Sequence, residues 1–397
     1  MDIDRLISER SRGVNASGIR RVFELGAKLK DPINLSIGQP DFPVPAEVKR
    51  AAVEAIESDR NGYSLTQGIP ALRERIATHL AADIGWKIDP GAKLDPKGDA
   101  PGLLVASGTS GALWLAFLAL MGPGDEAIIP DPYFVMYPYL ATVCGGKAVM
   151  CDTYPDFRLT AERVEPLITP RTKIVLMNTP SNPAGAVQTR RECEELLELC
   201  RARNIVLISD EIYDQFTYDD SREAGVMNRT CPSPCRVPGS HENVLLVRGF
   251  GKTYGVTGWR LGYAAGPARL IEEMTKLQQY TFVCAPTPLQ WGAVAAFDVD
   301  MEPVITAYQR RRDRVVRRLS EVTEVATPGG AFYAFPRVPE RLGLSASQFV
   351  ERCIERGLLV IPGSVFSSRD THLRLSYATD DATLERGLDI LVELMGG

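Results

Sequence analysis

The chain has 397 residues, of which 45% are hydrophobic and 24% are charged, and its formal net charge is −5. This length predicts two or three domains with a large buried core. The slightly acidic balance argues against a nucleic-acid partner or an anionic membrane surface. No apolar stretch reaches the roughly 18 residues of a membrane-spanning helix, and the charged N-terminus lacks a secretion segment. Eight scattered cysteines are typical of reduced thiols, so we expect a cytoplasmic protein.

The first two thirds of the chain predict a sheet flanked by helices. A short strand at 34–38 precedes the proline-rich stretch 39–45, which cannot lie inside a helix. Apolar strands then alternate with amphipathic helices. We predict strands at 103–106, 126–129, 147–151, 173–177, 205–209 and 244–247, and helices at 111–121, 162–168 and 191–203. This alternation indicates a mostly parallel sheet between helices, whose ligands collect at the carboxyl ends of the strands.

After about residue 290 the pattern becomes that of a smaller α+β part. It predicts a helix at 303–319, a strand at 329–335, a helix at 346–356, short strands at 358–361 and 373–377, and a last helix from Asp381. The basic run 310–314 predicts a solvated helix face. The polar stretches 89–102 and 228–240 predict surface loops. Cys231 and Cys235 in the second loop have too few neighbouring ligands for a metal site, so we expect no metal and leave their role open.

Chemically distinctive residues follow three of the predicted strands. Residues 107–111 (Ser-Gly-Thr-Ser-Gly) open a helix, whose free amides and dipole suit a phosphate. Asn182 brings an amide donor to the end of strand 173–177. Asp210 ends a buried strand, where a carboxylate is costly unless it is paired, and Tyr213 follows it. Each feature taken alone is also explained by an ordinary turn or helix cap, and for Asp210 alone the helix cap is the favoured explanation.

A fourth segment, 249–260, places Lys252 among small residues and Arg260 eight positions later. Glycine lets a lysine approach a cofactor aldehyde closely, and the planar fork of arginine can hold a phosphate. A lone lysine in such a loop is usually a solvated surface residue. In order along one sheet, however, a phosphate cradle, an amide, a carboxylate and an amine indicate the chemistry of pyridoxal 5'-phosphate.

Six motifs carry a resemblance to a known family, at residues 34–42, 62–68, 178–185, 209–213, 251–262 and 373–378. In this order they resemble the class I/II aminotransferases, which are fold-type I pyridoxal-phosphate enzymes, and the match runs from about residue 17 to the C-terminus. The resemblance implies an α/β fold with a large domain (45–285) around a mostly parallel seven-stranded sheet. It also implies a smaller α+β domain formed by residues 1–44 and 286–397.

The resemblance assigns catalytic roles to residues already singled out. Lys252 would form a Schiff base with the cofactor and then move the substrate proton. Asp210 would keep the pyridine nitrogen protonated, and Asn182 and Tyr213 would bind the phenolic oxygen and tune the imine pKa. Arg374 would hold the substrate carboxylate as a bidentate pair.

Further residues gain binding roles from the same resemblance. Gly38 would close over the substrate, and Tyr133 would stack on the cofactor ring. Tyr63 would reach the phosphate of a neighbouring subunit, so the enzyme would be a homodimer with shared active sites. The phosphate itself would be held by Gly108, Thr109, Ser110 and Arg260.

Two positions depart from what relatives usually carry. Gly249 stands where a serine hydroxyl commonly binds the phosphate, so we expect either weaker cofactor retention by roughly 1.5–3 kcal/mol or a substitute donor such as Ser107 or water. Ser110 stands where some aspartate-using relatives have lysine, which argues against a dicarboxylate preference.

The reaction implied is transamination from an L-amino acid to a 2-oxo acid, expected to be 2-oxoglutarate, by a ping-pong mechanism. β-Elimination or cyclisation on the same cofactor begins with the same proton abstraction, so these alternatives stay open. A cofactor-binding regulator is disfavoured, since the residues that precede the match are too few for a DNA-binding domain. Tyr133, Phe134 and Phe282 favour an aromatic or broad range of amino donors.

Overall fold

The structure, a computed structural model, describes residues 1–16, 18, 26, 29–91, 95, 99–223 and 229–396. Part of the first matching stretch (residues 17, 19 and 20), residues 92–94 and 96–98 of the predicted loop 89–102, and residue 228 of the loop 228–240 lie outside these ranges. The strands, in chain order, are β1 (Ile33–Asn34), β2 (Gly102–Ser107), β3 (Glu126–Asp131), β4 (Lys147–Asp152), β5 (Thr172–Asn178), β6 (Val206–Asp210), β7 (Val244–Gly249), β8 (Leu261–Gly266), β9 (Tyr333–Ala334), β10 (Leu358–Leu359), β11 (Ile361–Pro362) and β12 (Leu373–Ser376).

The helices between them cover both faces of the main sheet and build the smaller part. In chain order they are α1 (Glu9–Arg12), α2 (Ala46–Glu57), α3 (Pro70–Ile84), α4 (Gly108–Leu120), α5 (Tyr137–Val143), α6 (Ala161–Val164), α7 (Arg190–Ala202), α8 (Phe250–Thr253), α9 (Ala268–Gln279), α10 (Thr287–Ala296), α11 (Glu302–Leu319), α12 (Ala346–Glu355) and α13 (Asp381–Gly396). Two of them begin with reciprocal capping boxes, Thr189 with Glu192 at α7 and Ser345 with Gln348 at α12.

The main sheet has seven strands in the order β2-β8-β7-β6-β5-β3-β4. β8 runs antiparallel to β2 and β7, while the neighbouring pairs from β7 to β4 are parallel. Alternate residues of β5 pack into different apolar clusters, Val175 and Met177 on one face and Ile174 and Leu176 on the other. The sheet is therefore buried on both faces, as parallel sheets usually are. The predicted α/β class with a smaller α+β part is confirmed.

All six strands predicted in the middle of the chain are present, each within two residues of its predicted bounds. The predicted helix 162–168 is shorter, because Pro166 lies in a 3₁₀ turn (Glu165–Leu167) that follows α6. β8 was not predicted from the residues, since Leu-Gly-Tyr-Ala-Ala-Gly contains no β-branched side chain.

Three strand predictions around the smaller part were wrong in extent. The strand predicted at 34–38 is only Ile33–Asn34, which pairs in parallel with β10 before the chain turns away. The strand predicted at 329–335 is only Tyr333–Ala334, because Gly329 and Gly330 lie against Ser221 and the Phe216 carbonyl in an irregular crossing. The single strand predicted at 358–361 is two, β10 beside β1 and β11 beside β12.

The basic run 310–314 is less solvated than predicted. Arg312 is buried, with its Nη1 donating to the Pro328 carbonyl oxygen at 2.6 Å, so this position belongs to the inner face of α11. Among the described residues, no helix is both long enough and apolar enough to cross a bilayer.

Candidate active site

A cavity of about 290 Å³ lies at the carboxyl edge of the main sheet. Its position follows from the topology, because β5, β6 and β7 end side by side, with Asn178 opposite Asp210 and Asp210 opposite Val247 in the strand register. Most of the predicted site residues line this cavity: Gly38, Gly108, Thr109, Ser110, Asn182, Asp210, Tyr213, Lys252, Arg260 and Arg374. Gly38 and Arg374, which are 336 positions apart in sequence, are thus brought together.

Two predicted site residues lie elsewhere in this chain. Tyr133 borders a small adjoining cavity, which shares Phe134, Tyr137, Asn178 and Asn182 with the main one, whereas its neighbour Phe134 lines both. Tyr63 is 87% exposed and does not line the cavity of its own chain. Phe282, suggested as a pocket residue, is 43% exposed and also lies outside it.

Lys252 extends from α8, the single helical turn that follows β7. Its Nζ donates to the Gly38 carbonyl oxygen at 2.5 Å and lies 5.7 Å from the centre of the Tyr213 ring. Burial, and then the positive charges of Arg374 and Arg260, lower the pKa of Lys252 from 10.5 to about 8. An amine with this pKa is partly neutral near pH 7 and can therefore act as a nucleophile or a base.

Asp210 is buried at the end of β6, and both carboxylate oxygens are held. Oδ2 accepts a hydrogen bond from Tyr137 Oη at 2.7 Å, and Oδ1 accepts one from the Ile212 amide at 3.3 Å. Burial raises the pKa of Asp210 from 3.8 to about 6, although the hydrogen bond from Tyr137 opposes the rise. Within the described part of the chain no cation forms an ion pair with Asp210, and a protonated ring nitrogen in the cavity would supply one.

An anion cradle forms where α4 begins. Gly108 has φ +71°, and a Cβ built on it would lie 2.7 Å from Arg260 Nη2, so only glycine lets the guanidinium approach the helix N-terminus this closely. Arg260 donates to the Thr257 carbonyl oxygen at 3.1 Å, and no carboxylate among the described residues pairs with it. Free amides, a helix dipole and an unpaired guanidinium together suit a phosphate group.

Gly249 is explained by packing beside this cradle. A Cβ there would lie 3.0 Å from Ile212 Cδ1 and 3.1 Å from both Thr109 Cγ2 and the Leu261 carbonyl oxygen. A serine would therefore displace its neighbours. Ser107, considered above as a substitute phosphate donor, does not line the cavity.

Arg374 lies on β12, is buried, and lines the cavity. Nη1 donates to Asn182 Oδ1 at 3.0 Å and Nη2 to the Ser36 carbonyl oxygen at 2.8 Å. Its guanidinium carbon lies 4.6 Å from the Tyr333 ring centre and 4.7 Å from that of Phe366. Nε is buried and has no hydrogen-bond partner among the described residues. A guanidinium fixed in this way can receive a carboxylate.

The sequence reasoning missed several residues that line the cavity, most notably Tyr137 and Tyr333. Tyr137 binds the Asp210 carboxylate, and Tyr333 Oη lies 3.0 Å from Tyr213 Oη. Both are aromatic residues in apolar stretches, where core packing is the more frequent role. Tyr137 lies four residues from Tyr133, in the same aromatic segment, but nothing in its spacing distinguished it.

A buried ion cluster lies directly behind Asp210, and we define it as Asp83, Glu211, Arg236 and Arg248. Arg248 Nη1 donates to Asp83 Oδ2 at 2.6 Å, and its Nη2 donates to Glu211 Oε2 at 2.8 Å. Arg236 Nη2 donates to Asp83 Oδ1 at 2.9 Å. The cluster joins α3, the turn after β6, and β7, and so fixes the strand ends that carry Asp210 and Lys252.

This cluster also corrects the prediction that 228–240 is a surface loop. Residues 230–235 are buried, because Thr230 and Ser233 hydroxyls donate to Asp83 and Glu211. Cys231 and Cys235 are therefore buried as well, and both are free thiols. The polar residues of this loop predicted contact with water. In the structure they instead form hydrogen bonds to buried charges.

Replacing Asp83 by asparagine should destabilise the fold by about 3–5 kcal/mol, because Arg236 and Arg248 would each lose one buried partner. Burial alone would raise the pKa of Asp83, but the charges of Arg248 and Arg236 outweigh it and lower the pKa below its ordinary 3.8. Its contribution should therefore be fully present above about pH 4 and be lost as the pH falls further. Urea unfolding at several pH values measures both effects. The matched control is Glu194→Gln in the exposed pair with Arg190, which should leave stability nearly unchanged; equal losses in both variants would contradict the assignment.

Comparison with known proteins gives one consistent result. The model of the family described as aminotransferase class I and II matches residues 30–391. The chain is 34% identical over 399 residues to an aspartate aminotransferase of Pyrococcus abyssi, with 98% of each chain covered. It is 35% identical over 399 residues to aromatic-amino-acid aminotransferase 2 of Thermococcus litoralis, again covering 98% of each. The solved aspartate aminotransferase of Thermus thermophilus with maleate superimposes with a TM-score of 0.88 at 32% identity, covering 98% of this chain and 99% of that one.

Proposed function

This chain belongs to the class I and II aminotransferases, which are pyridoxal-phosphate-dependent transaminases, and on that premise we propose its particular reaction. The proposal is that it transfers the amino group of an L-amino acid to a 2-oxo acid, 2-oxoglutarate in the first instance, by a ping-pong mechanism in which Lys252 provides the Schiff base. The observation that carries it is the cavity at the sheet edge, where an amine of lowered pKa, a buried carboxylate and an anion cradle face one space.

The residues present fit the cofactor. The cradle of Gly108, Thr109, Ser110 and Arg260 would hold its phosphate. Asp210 would pair with the ring nitrogen and keep it protonated. Phe134, which lines the cavity, would lie at the ring face that the sequence suggested for Tyr133. When bound, pyridoxal 5'-phosphate supplies an electron sink for charge that develops on the substrate Cα.

Three further residues would handle the substrate. Lys252 would remove the proton from Cα and return one, since its amine is partly neutral near pH 7. Arg374 would orient the substrate by its carboxylate, and Asn182, which already accepts from Arg374, would also face the phenolic oxygen of the cofactor together with Tyr213. Gly38 would close the cavity beside Lys252, to which it is hydrogen-bonded.

We also propose that the working enzyme is a homodimer. Tyr63 is 87% exposed and Tyr280 is 89% exposed, and the backbone of Thr66 is tied to Gln278 by a 2.7 Å hydrogen bond, so the two aromatic rings belong to one surface region. An exposed apolar region of this kind is typical of an interface, and Tyr63 would reach the phosphate cradle of the partner from it.

Two further expectations are retained as proposals. The cavity would lie between a large domain (45–285) and a small domain (1–44 and 286–397), since Lys252 and Asp210 come from the first and Gly38 and Arg374 from the second. The location would be cytoplasmic, because the eight cysteines are all free.

The wall of the cavity favours aromatic or varied amino donors. Leu113, Phe134 and Met136 are apolar, and among the described residues the cations that line the cavity are Lys252, Arg260 and Arg374, each of which already has a proposed role. A cation that pairs with a second substrate carboxylate would therefore have to come from a residue other than these three. For that reason both donors and acceptors need to be tested as a series.

The test is a half-reaction followed by a substrate panel. Purified protein loaded with pyridoxal 5'-phosphate should be yellow. When an amino acid is added without an acceptor, each bound cofactor should be converted once to its amine form, with one equivalent of 2-oxo acid released. A 2-oxo acid should then restore the yellow colour. The panel compares aromatic, aliphatic and acidic donors, each beside its decarboxylated amine, with 2-oxoglutarate and pyruvate as acceptors. Ammonia release without the amine form would instead establish a lyase and overturn the proposal.

A further inference from the structure

Tyr333 links two parts of the cavity that the proposed function treats separately. It lies on β9, is buried, and pairs through its backbone with Ser376 of β12, the strand that also carries Arg374. Its hydroxyl lies 3.0 Å from the Tyr213 hydroxyl, and its ring lies 4.6 Å from the Arg374 guanidinium carbon. A Cβ on Gly38 would lie only 2.8 Å from the same hydroxyl. The phenol of Tyr333 is therefore confined by three residues of the site.

The hydrogen bond between the two phenols has a direction. Each hydroxyl has one proton, so if Tyr213 donates to Tyr333 it cannot donate into the cavity. Burial raises the pKa of both phenols, and the positive charge of Arg374 opposes the rise at each. The cation beside the Tyr333 ring, Arg374, is permanently charged and lies 4.6 Å from the ring centre, whereas Lys252 lies 5.7 Å from the Tyr213 ring centre. The nearer cation polarises the Tyr333 hydroxyl more strongly and makes it the better donor. The charged groups acting on the pair are Arg374, Asp210 and Lys252.

We propose that Tyr333 is a positioning residue, which donates its hydrogen bond to Tyr213 and so directs the Tyr213 proton towards the phenolic oxygen of the cofactor. This inference rests on the role proposed above for Tyr213. The ring of Tyr333 has a second, separable task, because it packs against Arg374 and helps to hold the guanidinium where it donates to Asn182 and to the Ser36 carbonyl oxygen.

The test uses holoenzyme and the pH titration of its yellow absorption. Donors to the phenolic oxygen stabilise its negative charge, so losing one favours the protonated chromophore and raises its pKa. Tyr213→Phe should raise that pKa by about 1–2 units. Tyr333→Phe, which leaves the ring in place, should raise the chromophore pKa by about 0.2–0.6 units, because the Tyr333 hydroxyl that polarises Tyr213 is lost. In the Tyr213→Phe background the Tyr333→Phe change should have no effect.

Matched variants separate a positioning role from a structural one. Tyr377→Phe removes one hydroxyl from another buried tyrosine pair, 3.1 Å from Tyr218 and outside the cavity, and should leave the titration unchanged. Tyr333→Leu should in addition raise KM for the amino donor, since the packing against Arg374 is lost. If Tyr213→Phe shifts the titration and Tyr333→Phe does not, or if Tyr333→Phe acts equally in both backgrounds, the inference is wrong. A wild-type protein with no yellow form would instead refute the proposed function itself.

Discussion

Replacing Lys252 by alanine is expected to lower the rate of amine transfer by about 10⁴-fold or more. The substitution removes both the covalent attachment point of the cofactor and the base that moves the Cα proton, and general base catalysis alone contributes roughly 10²–10⁴-fold. Lys252→Arg should be similarly inactive, because a guanidinium stays protonated at every working pH. Single-turnover conversion of an amino donor measures the loss without interference from product release.

The controls for this prediction distinguish base loss from cofactor loss. Cofactor content should be measured in the same samples, since the anion cradle and Asp210 remain in Lys252→Ala. A small added amine should restore part of the proton transfer if the missing group is a base. Lys276→Ala, which removes an exposed lysine paired with Glu273, should keep wild-type activity. Full amine transfer by Lys252→Ala would overturn the catalytic assignment.

Replacing Asp210 by asparagine is expected to lower kcat by about 10²–10⁴-fold, corresponding to the 3–5 kcal/mol typical of a broken buried ion pair. Asparagine keeps the shape of the side chain and can still accept the Tyr137 hydrogen bond, so the fold and the cavity should remain. What is lost is the charge that keeps the cofactor ring nitrogen protonated. Steady-state kinetics with the best donor from the panel, combined with the cofactor spectrum, measures the effect.

Asp214 provides a matched control for Asp210. Burial raises the pKa of each from 3.8 to about 6, and the two side chains are four residues apart, but Asp214 faces Arg248 and does not line the cavity. Asp214→Asn should therefore leave kcat near the wild-type value even if it affects stability. Equal losses of kcat in the two variants would show that the effect is structural.

Much of this architecture could be predicted from the sequence because its signals are local. The apolar runs that form β2 to β7 are bounded by Gly, Pro, Asn and Asp, so their positions follow from composition and spacing. The residues at their carboxyl ends are brought to one cavity by the parallel arrangement alone. Lys252, Asp210 and the helix start at Gly108 needed no further information.

The remaining features depend on contacts that distant residues make. Tyr133 and Phe134 are adjacent aromatics, and only the path of the backbone after β3 decides which of them lines the cavity. The burial of residues 230–235 depends on Asp83, which lies nearly 150 positions earlier in the sequence. Arg236, which pairs with Asp83, is similarly far from it along the chain. β9 is short because glycines on its approach cross other backbone closely. None of these has a periodicity that a sequence window could reveal.

The buried ion cluster limits how this sequence can vary. An exchange at Arg248 leaves Asp83 and Glu211 without a shared cation, and an exchange at Asp83 or Glu211 removes one of the carboxylates that balance Arg248 in the interior. Replacing the whole set by apolar residues of similar volume is often neutral or stabilising. These positions should therefore change together or not at all between homologues, and libraries of single substitutions should be depleted at each of them. Directed evolution of new donor specificity would do better to start from exchanges in the cavity wall, where Leu113 and Met136 carry no such coupling.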